Sequence, residues 1–520
     1  MRCLFVVSTL PEKGLGHLVR CRDLARFLAD KNIDCLFAVD WYSQDIASFL
    51  DDFQCIVTTR AADEVISLIQ SENIATLIVD HYSIDEAWEK QVAPHLTKLV
   101  VFDDVKRRHY CDVLIDFKWR GSNTASAYEG LTNPDAVHLL GPSYALVPAL
   151  PGQAPARAEL TPSSQQHSRI MVGHNFLNTA QVMTLAAMLP SNVILMLVVG
   201  PHDNISIAKL QSCTNVEVLQ GKTELFSQLK NIDLYIGAAG GILYQLRALN
   251  IPMLSFSIAD NQNSDIPDLE DIGHYFHMSS FDEGVLPKLA ACLRVFLQQH
   301  KRVKALGDTA VVNVDTLGCE RIYNAIYNNK IDKTTTNVIS KIFIPLCNGY
   351  ELETIDDTHI NRYLAARNHP KNQIRMIDHS EISKLDHYTW WFNTKRHSYL
   401  LYENKVPQLY IWHESVVVDD KTFLIGGWFV VEKETNFQSA LVALQWQLKH
   451  CEENFPNTPW IAVIHKDNKF VQLLNKYLGF EEIPATHAYD SVCQSLFPHA
   501  KSDEFQRVMK VPCTKKVQSS

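Results

Sequence analysis

Among the 520 residues little points to a metal, a membrane or a nucleic acid. The twelve cysteines, from Cys3 to Cys513, include no Cys-x-x-Cys pair and no regular spacing. That removes the usual zinc-ligand pattern and a disulfide framework, so no metal is expected and reduced thiols are. Lys and Arg number 48 against 58 Asp and Glu, a net charge of -10. Neutralising a phosphate backbone calls for a concentrated positive field, so a nucleic-acid partner is not expected. No run reaches the roughly 18 to 20 apolar residues that cross a bilayer, and Met1 to Val7 enter a strand without the features of a signal peptide. The expectation is a cytoplasmic protein with no membrane partner. Small anionic ligands need only local donors and stay within reach.

What is present has the rhythm of an α/β protein. Residues 1–150 alternate short apolar runs (Cys3 to Ser8, Asp34 to Val39, Thr76 to Val79, Leu99 to Phe102) with helix-period segments such as His17 to Lys31. Strands apolar on both faces belong to a parallel sheet wrapped by helices, which predicts a Rossmann-like half-domain. Residues 151–168, rich in Pro, Ala, Ser and Gln, read as a linker. A second half-domain follows over 169–328, with strands at Ile170 to Val172, Val193 to Val199, Val216 to Leu219 and Leu234 to Ile236, closing on an amphipathic stretch at Glu320 to Tyr327. Two such halves make a GT-B architecture. After a polar linker at 329–341, residues 342–495 alternate aromatic-rich strands (Ser398 to Glu403, Gln408 to His413, Phe423 to Val431, Trp460 to Ile464) with helices, and 496–520 read as a polar tail.

The first chemical signal is the loop Gly14-Leu15-Gly16-His17-Leu18-Val19-Arg20-Cys21, directly after the first strand. Glycines there let backbone approach a ligand, and the start of a helix offers unpaired N–H groups to phosphate oxygens. A histidine at that mouth titrates near neutrality and suits proton transfer from an attacking water. From the loop alone, a histidine that merely caps the turn fits equally well.

Other motifs follow in order: Val79-Asp80-His81-Tyr82, Phe102-Asp103-Asp104, Gly141-Pro142-Ser143-Tyr144-Ala145-Leu146, Ala259-Asp260-Asn261-Gln262, and Asp315 to Arg321. Together with the glycine-histidine loop they resemble the UDP-2,4-diacetamido-2,4,6-trideoxy-β-L-altropyranose hydrolases of pseudaminic-acid biosynthesis, over roughly residues 1 to 328. The resemblance implies a UDP-sugar substrate and metal-free hydrolysis at the sugar C1, in a pathway that feeds flagellar or surface glycan. It makes His17 the general base, counts Gly14, Gly16 and Arg20 among the substrate-binding residues, puts Tyr82 on the sugar side, and Asn261 and Gln262 across the cleft. The nucleotide would meet Gly240, Gly241 and Gln245. Besides an asparagine near Phe117-Lys118 and an arginine after Tyr144-Ala145-Leu146 that have no counterpart here, two stretches depart from the pattern. Gly173-His174-Asn175 stands for Gly-Gly-x-Asp, and Gly237-Ala238-Ala239-Gly240-Gly241-Ile242-Leu243-Tyr244-Gln245 lacks the small hydroxyls and the carboxylate of its counterpart. Lys118 and Arg120 are candidate cations for the diphosphate.

In the third region, Asp467-Asn468-Lys469-Phe470 leading to Lys476-Tyr477-Leu478-Gly479-Phe480 resembles the close of a GNAT-type N-acetyltransferase, and Arg367-Asn368, Ile374, Met376, Ile382, His387 and Trp390 resemble the sugar-side opening of its nucleotide-amino-sugar members. The resemblance implies acetyl-CoA as cofactor, its pyrophosphate at a helix start around Asn436 to Ala440 that includes Gln438 and Ser439. That start has no glycine. Asn475 stands where a thiolate-protonating tyrosine is usual; Tyr477, two residues on, is the candidate to replace it, though packing against the closing strand is the favoured role. His413 and Glu414, at a strand end, are candidate bases or simply an exposed pair. His387 beside Trp390 and Trp391 either positions a sugar or fills the core. The whole suggests a bifunctional enzyme; a GT-B glycosyltransferase and a catalytically degenerate nucleotide-sugar-binding protein are the competing readings.

Overall fold

A computed structural model describes residues 1–10, 16–148, 167–174, 176–200, 203–220, 225–257, 264–331, 341–432 and 436–512. The chain divides into two compact units, Met1–Ile339 and Ser340–Ser520.

The first unit is built on two parallel sheets. In one, β1 (Arg2–Val7), β2 (Asp34–Val39), β3 (Gln54–Val57), β4 (Thr76–Asp80), β5 (Lys98–Phe102), β6 (Val113–Asp116) and β7 (Val137–Leu140) run in the order β3-β2-β1-β4-β5-β6-β7. Its central strands are buried almost throughout because helices cover both faces. The helix Gly16–Asp30 turns Leu18, Cys21, Leu24, Ala25 and Leu28 inward, the three-and-four spacing of a helix with one apolar stripe. In the other sheet, β8 (Ser168–Val172), β9 (Val193–Val199), β10 (Val216–Gln220), β11 (Leu234–Ala238), β12 (Met253–Phe256) and β13 (Phe276–Met278) run in the order β10-β9-β8-β11-β12-β13. Both orders reverse direction beside the first strand, between β1 and β4 and between β8 and β11. Loops leaving the carboxyl ends of those strands part there and open a crevice, the place where open α/β sheets bind ligands. The unit is therefore a pair of Rossmann-like half-domains.

The halves meet at those carboxyl ends. Just past β6, the Phe117 ring stands edge-on to Tyr244, 5.3 Å between centroids. The Tyr244 hydroxyl accepts from the Trp119 amide at 3.2 Å, and the Trp119 indole donates to Asp271 at 3.1 Å. The chain then returns: helix Gly318–Tyr327 sends Cys319, Ile322, Ala325 and Ile326 into the core of the first half, beside Phe5, Leu24 and Phe37.

The second unit carries one mixed sheet of β14 (Phe343–Pro345), β15 (Tyr350–Thr354), β16 (His397–Glu403), β17 (Val406–Val418), β18 (Lys421–Val430), β19 (Trp460–His465), β20 (Glu481–Glu482) and β21 (Phe505–Lys510), in the order β14-β15-β16-β17-β18-β19-β21-β20. Two-residue turns at Asn404-Lys405 and Asp419-Asp420, all at positive φ, join β16 to β17 and β17 to β18. β18 and β19 are parallel and share a single register pair, Leu424 with Trp460, so they diverge beyond it. β21 corrects the expectation of a polar tail. It pairs along its full length with β19 and buries Phe505, Val508 and Met509; polar neighbours hide that pattern from a local reading.

Gly318 tests the returning helix. A Cβ there would sit 1.9 Å from the Ala145 carbonyl oxygen, which is backbone and has no rotamer to yield. Gly318→Ala is expected to destabilise the first unit by about 3 kcal/mol, read as a lower denaturation midpoint and faster proteolysis within 1–331. An unchanged midpoint would contradict the close approach.

Candidate active site

His17 lies in the first turn of the helix that follows β1, and Asp80 ends β4, the neighbouring strand in register with Val7. Parallel pairing thus joins residues 63 positions apart, with His17 Nδ1 2.6 Å from Asp80 Oδ1. One turn along the same helix, Arg20 donates to both oxygens of that carboxylate. Arg20 is itself flanked by the rings of Phe102 and Phe117, at 5.4 and 5.7 Å, and lies 3.7 Å from Asp104.

The electrostatics follow from burial. Desolvation resists ionising Asp80, but the charge of Arg20, then of His17, overcomes it and holds the carboxyl well below the usual carboxylate range. An ionised Asp80 accepts the proton on His17 Nδ1. Arg20 Nη2 also approaches that nitrogen, at 3.1 Å, but the nearer and charged carboxylate claims the proton. The neutral imidazole is then the tautomer with its lone pair on Nε2, the form a base requires. Tyr82 stands edge-on to the His17 ring at 4.7 Å and donates its hydroxyl proton to Asp104 at 2.6 Å. Burial, reinforced by Asp104, pushes that phenol up, so it stays protonated.

A second pair braces the site. His81 Nδ1 accepts from the Ser83 amide at 3.0 Å, which leaves Nε2–H to donate to Asp40, 2.9 Å away. Asp40 also accepts from the amide and hydroxyl of Thr9, at 2.8 and 3.0 Å. Burial opposes its ionisation, and the bonds from His81 and Thr9 prevail. Asp40 and Arg60, 3.7 Å apart, escaped the sequence reading. Asp40 just beyond β2 carried the available signal, a carboxylate at the carboxyl edge of a parallel strand.

Gly14, Asn261 and Gln262 lie outside the described residues. Gly16 opens its helix exposed, and a Cβ at Gly16, Gly240 or Gly241 would meet nothing within 4 Å. Gln245 is half-buried on the helix Ile242–Ala248, beside Tyr244, which touches Phe117. The chain of contacts His17, Arg20, Phe117, Tyr244 therefore runs from one carboxyl edge to the other. Arg120 departs from its expected role: it is committed to Asp116 and to the Asp104 carbonyl. Burial and then Arg120 depress the Lys118 ammonium.

The second unit's candidates are dispersed. His387 is 2% exposed, donates Nε2–H to the Ile360 carbonyl at 2.9 Å, and is pushed by burial down to about 4. It fills the core among Tyr363, Trp390 and Trp391. His413 and Glu414 do not end a strand, since β17 continues to Val418 and the pleat sends them to opposite faces. His413 is 1% exposed, packs on His397 and His450, and both ring nitrogens lack a partner among the described residues. Burial, then those two histidines, push it down to about 4. Glu414 reaches Arg396 at 3.6 Å. Tyr477 is 71% exposed, so the expected packing against the closing strand does not occur. Asn475 is buried and donates to the Val471 carbonyl, and Asn468 caps the helix Lys469–Tyr477.

The helix Phe437–Asn454 begins with Gln438 exposed and Ser439 buried, capped by Asn436. Asn436 Nδ2, Ser439 Oγ and the Tyr350 hydroxyl all donate to the Glu403 carboxylate, at 3.4, 3.3 and 3.0 Å. A negative charge already complements this helix start, and a Cβ stands at every position of its first turn. These residues do not fit a CoA pyrophosphate.

No protein-family model matches the chain. A UDP-2,4-diacetamido-2,4,6-trideoxy-beta-L-altropyranose hydrolase of Campylobacter jejuni subsp. jejuni serotype O:2 is 31% identical over 151 residues, 28% of this chain and 52% of that protein. The chain thus spans about half the length of this curated relative. Among solved structures, Acinetobacter baumannii MurG overlaps at a TM-score of 0.43 and 11% identity, over 63% of this chain and 99% of that one. A putative UDP-N-acetylglucosamine 2-epimerase from Listeria monocytogenes overlaps at 0.44 and 14% identity, over 65% and 99%. Overlaps this loose add nothing to the strand orders given above.

A pH dependence follows for the second unit. Folded His387 and His413 titrate at about 4, against about 6.5 when unfolded. The unfolded chain binds more protons between those values, so their contribution is complete above pH 6.5 and is lost as pH falls towards 4, on the order of 3 kcal/mol each. Protection factors of the amides in β16 and β17, corrected for the slower intrinsic exchange at lower pH, should fall from pH 7 to 5. Equal protection at both would contradict neutral burial.

Proposed function

We propose that Met1–Ile339 hydrolyses a UDP-sugar of the 2,4-diacetamido-2,4,6-trideoxyhexose class at C1, releasing UDP, in pseudaminic-type nonulosonic-acid synthesis. The observation that carries this reading is the arrangement of His17, Asp80 and Arg20 at the crevice between β1 and β4. The 31% identity to the Campylobacter hydrolase supports the choice of substrate. A water positioned at Nε2 gives its proton to His17 as its oxygen bonds to C1. The bond from C1 to the β-phosphate oxygen breaks with its electron pair on UDP. Asp80 stabilises the imidazolium that forms, and Arg20 keeps Asp80 ionised meanwhile. UDP is a good leaving group, so holding and deprotonating water is the main task, and it calls for no metal.

For Ser340–Ser520 we propose a degenerate relative of the acetyl-CoA-dependent sugar N-acetyltransferases, without acetyl transfer. Glu403 at the helix start and the displaced Tyr477 support that reading.

The test is UDP release from the UDP-diacetamido sugar by the full chain. His17→Ala should lower kcat by about 100-fold or more. Asp80→Asn should lower kcat comparably while leaving KM near its original value, and should displace the acidic limb of the pH profile, which a merely structural residue would not move. Turnover untouched by His17→Ala would overturn the reading, as would sugar transfer to an acceptor in place of free sugar. Free CoA produced from acetyl-CoA and a UDP-4-amino sugar would overturn the reading of the second unit.

A further inference from the structure

The strand order of the second sheet of the first unit reverses between β8 and β11, and a histidine–carboxylate pair stands at the carboxyl edge of β8 and β9, on one side of that switch. His174 lies two residues past the end of β8, after Gly173, where the hydrolases named above have a glycine. Its Nδ1 lies 3.0 and 3.2 Å from the two oxygens of Asp203, just beyond β9. The Gly200 amide donates to the same carboxylate at 2.8 Å and fixes its position. The Asp203 side chain is 5% exposed and the His174 side chain 51%. Gly200 makes room for the ring: a Cβ there would come within 3.1 Å of Nδ1 and 3.5 Å of Cε1. The Nδ1 and Cε1 atoms of the ring therefore lie against Gly200, and the side chain as a whole is half exposed.

We propose that His174, held by Asp203, binds the diphosphate of the nucleotide-sugar and assists its departure. This rests on the hydrolase reading above and adds a catalytic residue to it. The position follows from topology. β11 is the neighbour of β8, and the loop leaving it carries Gly240 and Gly241, at which a Cβ would meet open space. Tyr244, on the helix that begins there, touches Phe117, which flanks Arg20 beside His17. The two histidines thus stand at the carboxyl edges of two sheets that meet through those rings.

With Nδ1–H committed to Asp203, a protonated ring presents Nε2–H to an anion in the crevice. During hydrolysis, water's oxygen bonds to C1 and its proton passes to His17. The C1–O bond to the β-phosphate breaks, and the electron pair stays on the phosphate oxygen. His174 hydrogen-bonds that oxygen as its charge grows, a charge-assisted bond that strengthens towards the transition state. It supplies a donor at the nucleotide site, whose loop here lacks the hydroxyls of its counterpart.

The experiment is calorimetric titration of the full chain with UDP and with uridine, alongside kcat for UDP release. His174→Ala should weaken UDP binding about 10-fold, leave uridine unchanged and lower kcat. Asp203→Asn should do the same to a smaller degree, and His174→Lys should restore much of the UDP affinity. Because the ring is half exposed, circular dichroism of His174→Ala should match the parent. Equal UDP affinity and kcat in His174→Ala, with His17→Ala inactive, would overturn this inference and leave the hydrolase reading standing. A parent chain that binds no UDP would overturn both.

Discussion

An ionised carboxylate sealed from water at the end of a parallel strand must be met by positive partners, and the first unit is organised around that requirement. Asp80 is 1% exposed. It is tolerated because the next element in space, the helix after β1, carries His17 and Arg20 one turn apart on the face it turns to β4. The same pairing that satisfies the carboxylate orients the imidazole. Removing Arg20 would leave the buried Asp80 charge without its cation, so the chemistry and the packing of this edge are one constraint.

That edge repeats in the second half in weaker form. A strand, a histidine in the loop that follows and a carboxylate from a neighbouring strand recur at β8 and β9, there with the ring half exposed. The difference is a matter of solvent. His17 lies beneath Tyr82 and beside Arg20, where a low dielectric sharpens proton transfer. His174 lies on an open rim, where a hydrogen bond to a mobile phosphate is the suitable task.

In the second unit the candidate side chains lie within the packing of the sheet and its helices. The two histidines that look catalytic in the sequence, His387 and His413, are enclosed, and burial pushes both rings down to about 4. Glu403 occupies the charge environment that an anionic cofactor would need.

Much of the first unit was legible in the sequence. Strands apolar on both faces identified the parallel sheets, since few other structures bury both sides of a strand, and the position of His17 shortly after the first strand put it at the carboxyl edge of that sheet. Local order could not show which carboxylate would meet that histidine, because strand order is settled by long-range packing and β4 lies beside β1 only in the folded sheet. The same holds for Asp40 with His81, for Asp203 with His174, and for β21, whose burial exists only through β19. Residue type and spacing determined which elements form; the tertiary structure decided which charges share a low-dielectric edge, because pairing strands distant in sequence is what brings those charges together and excludes water.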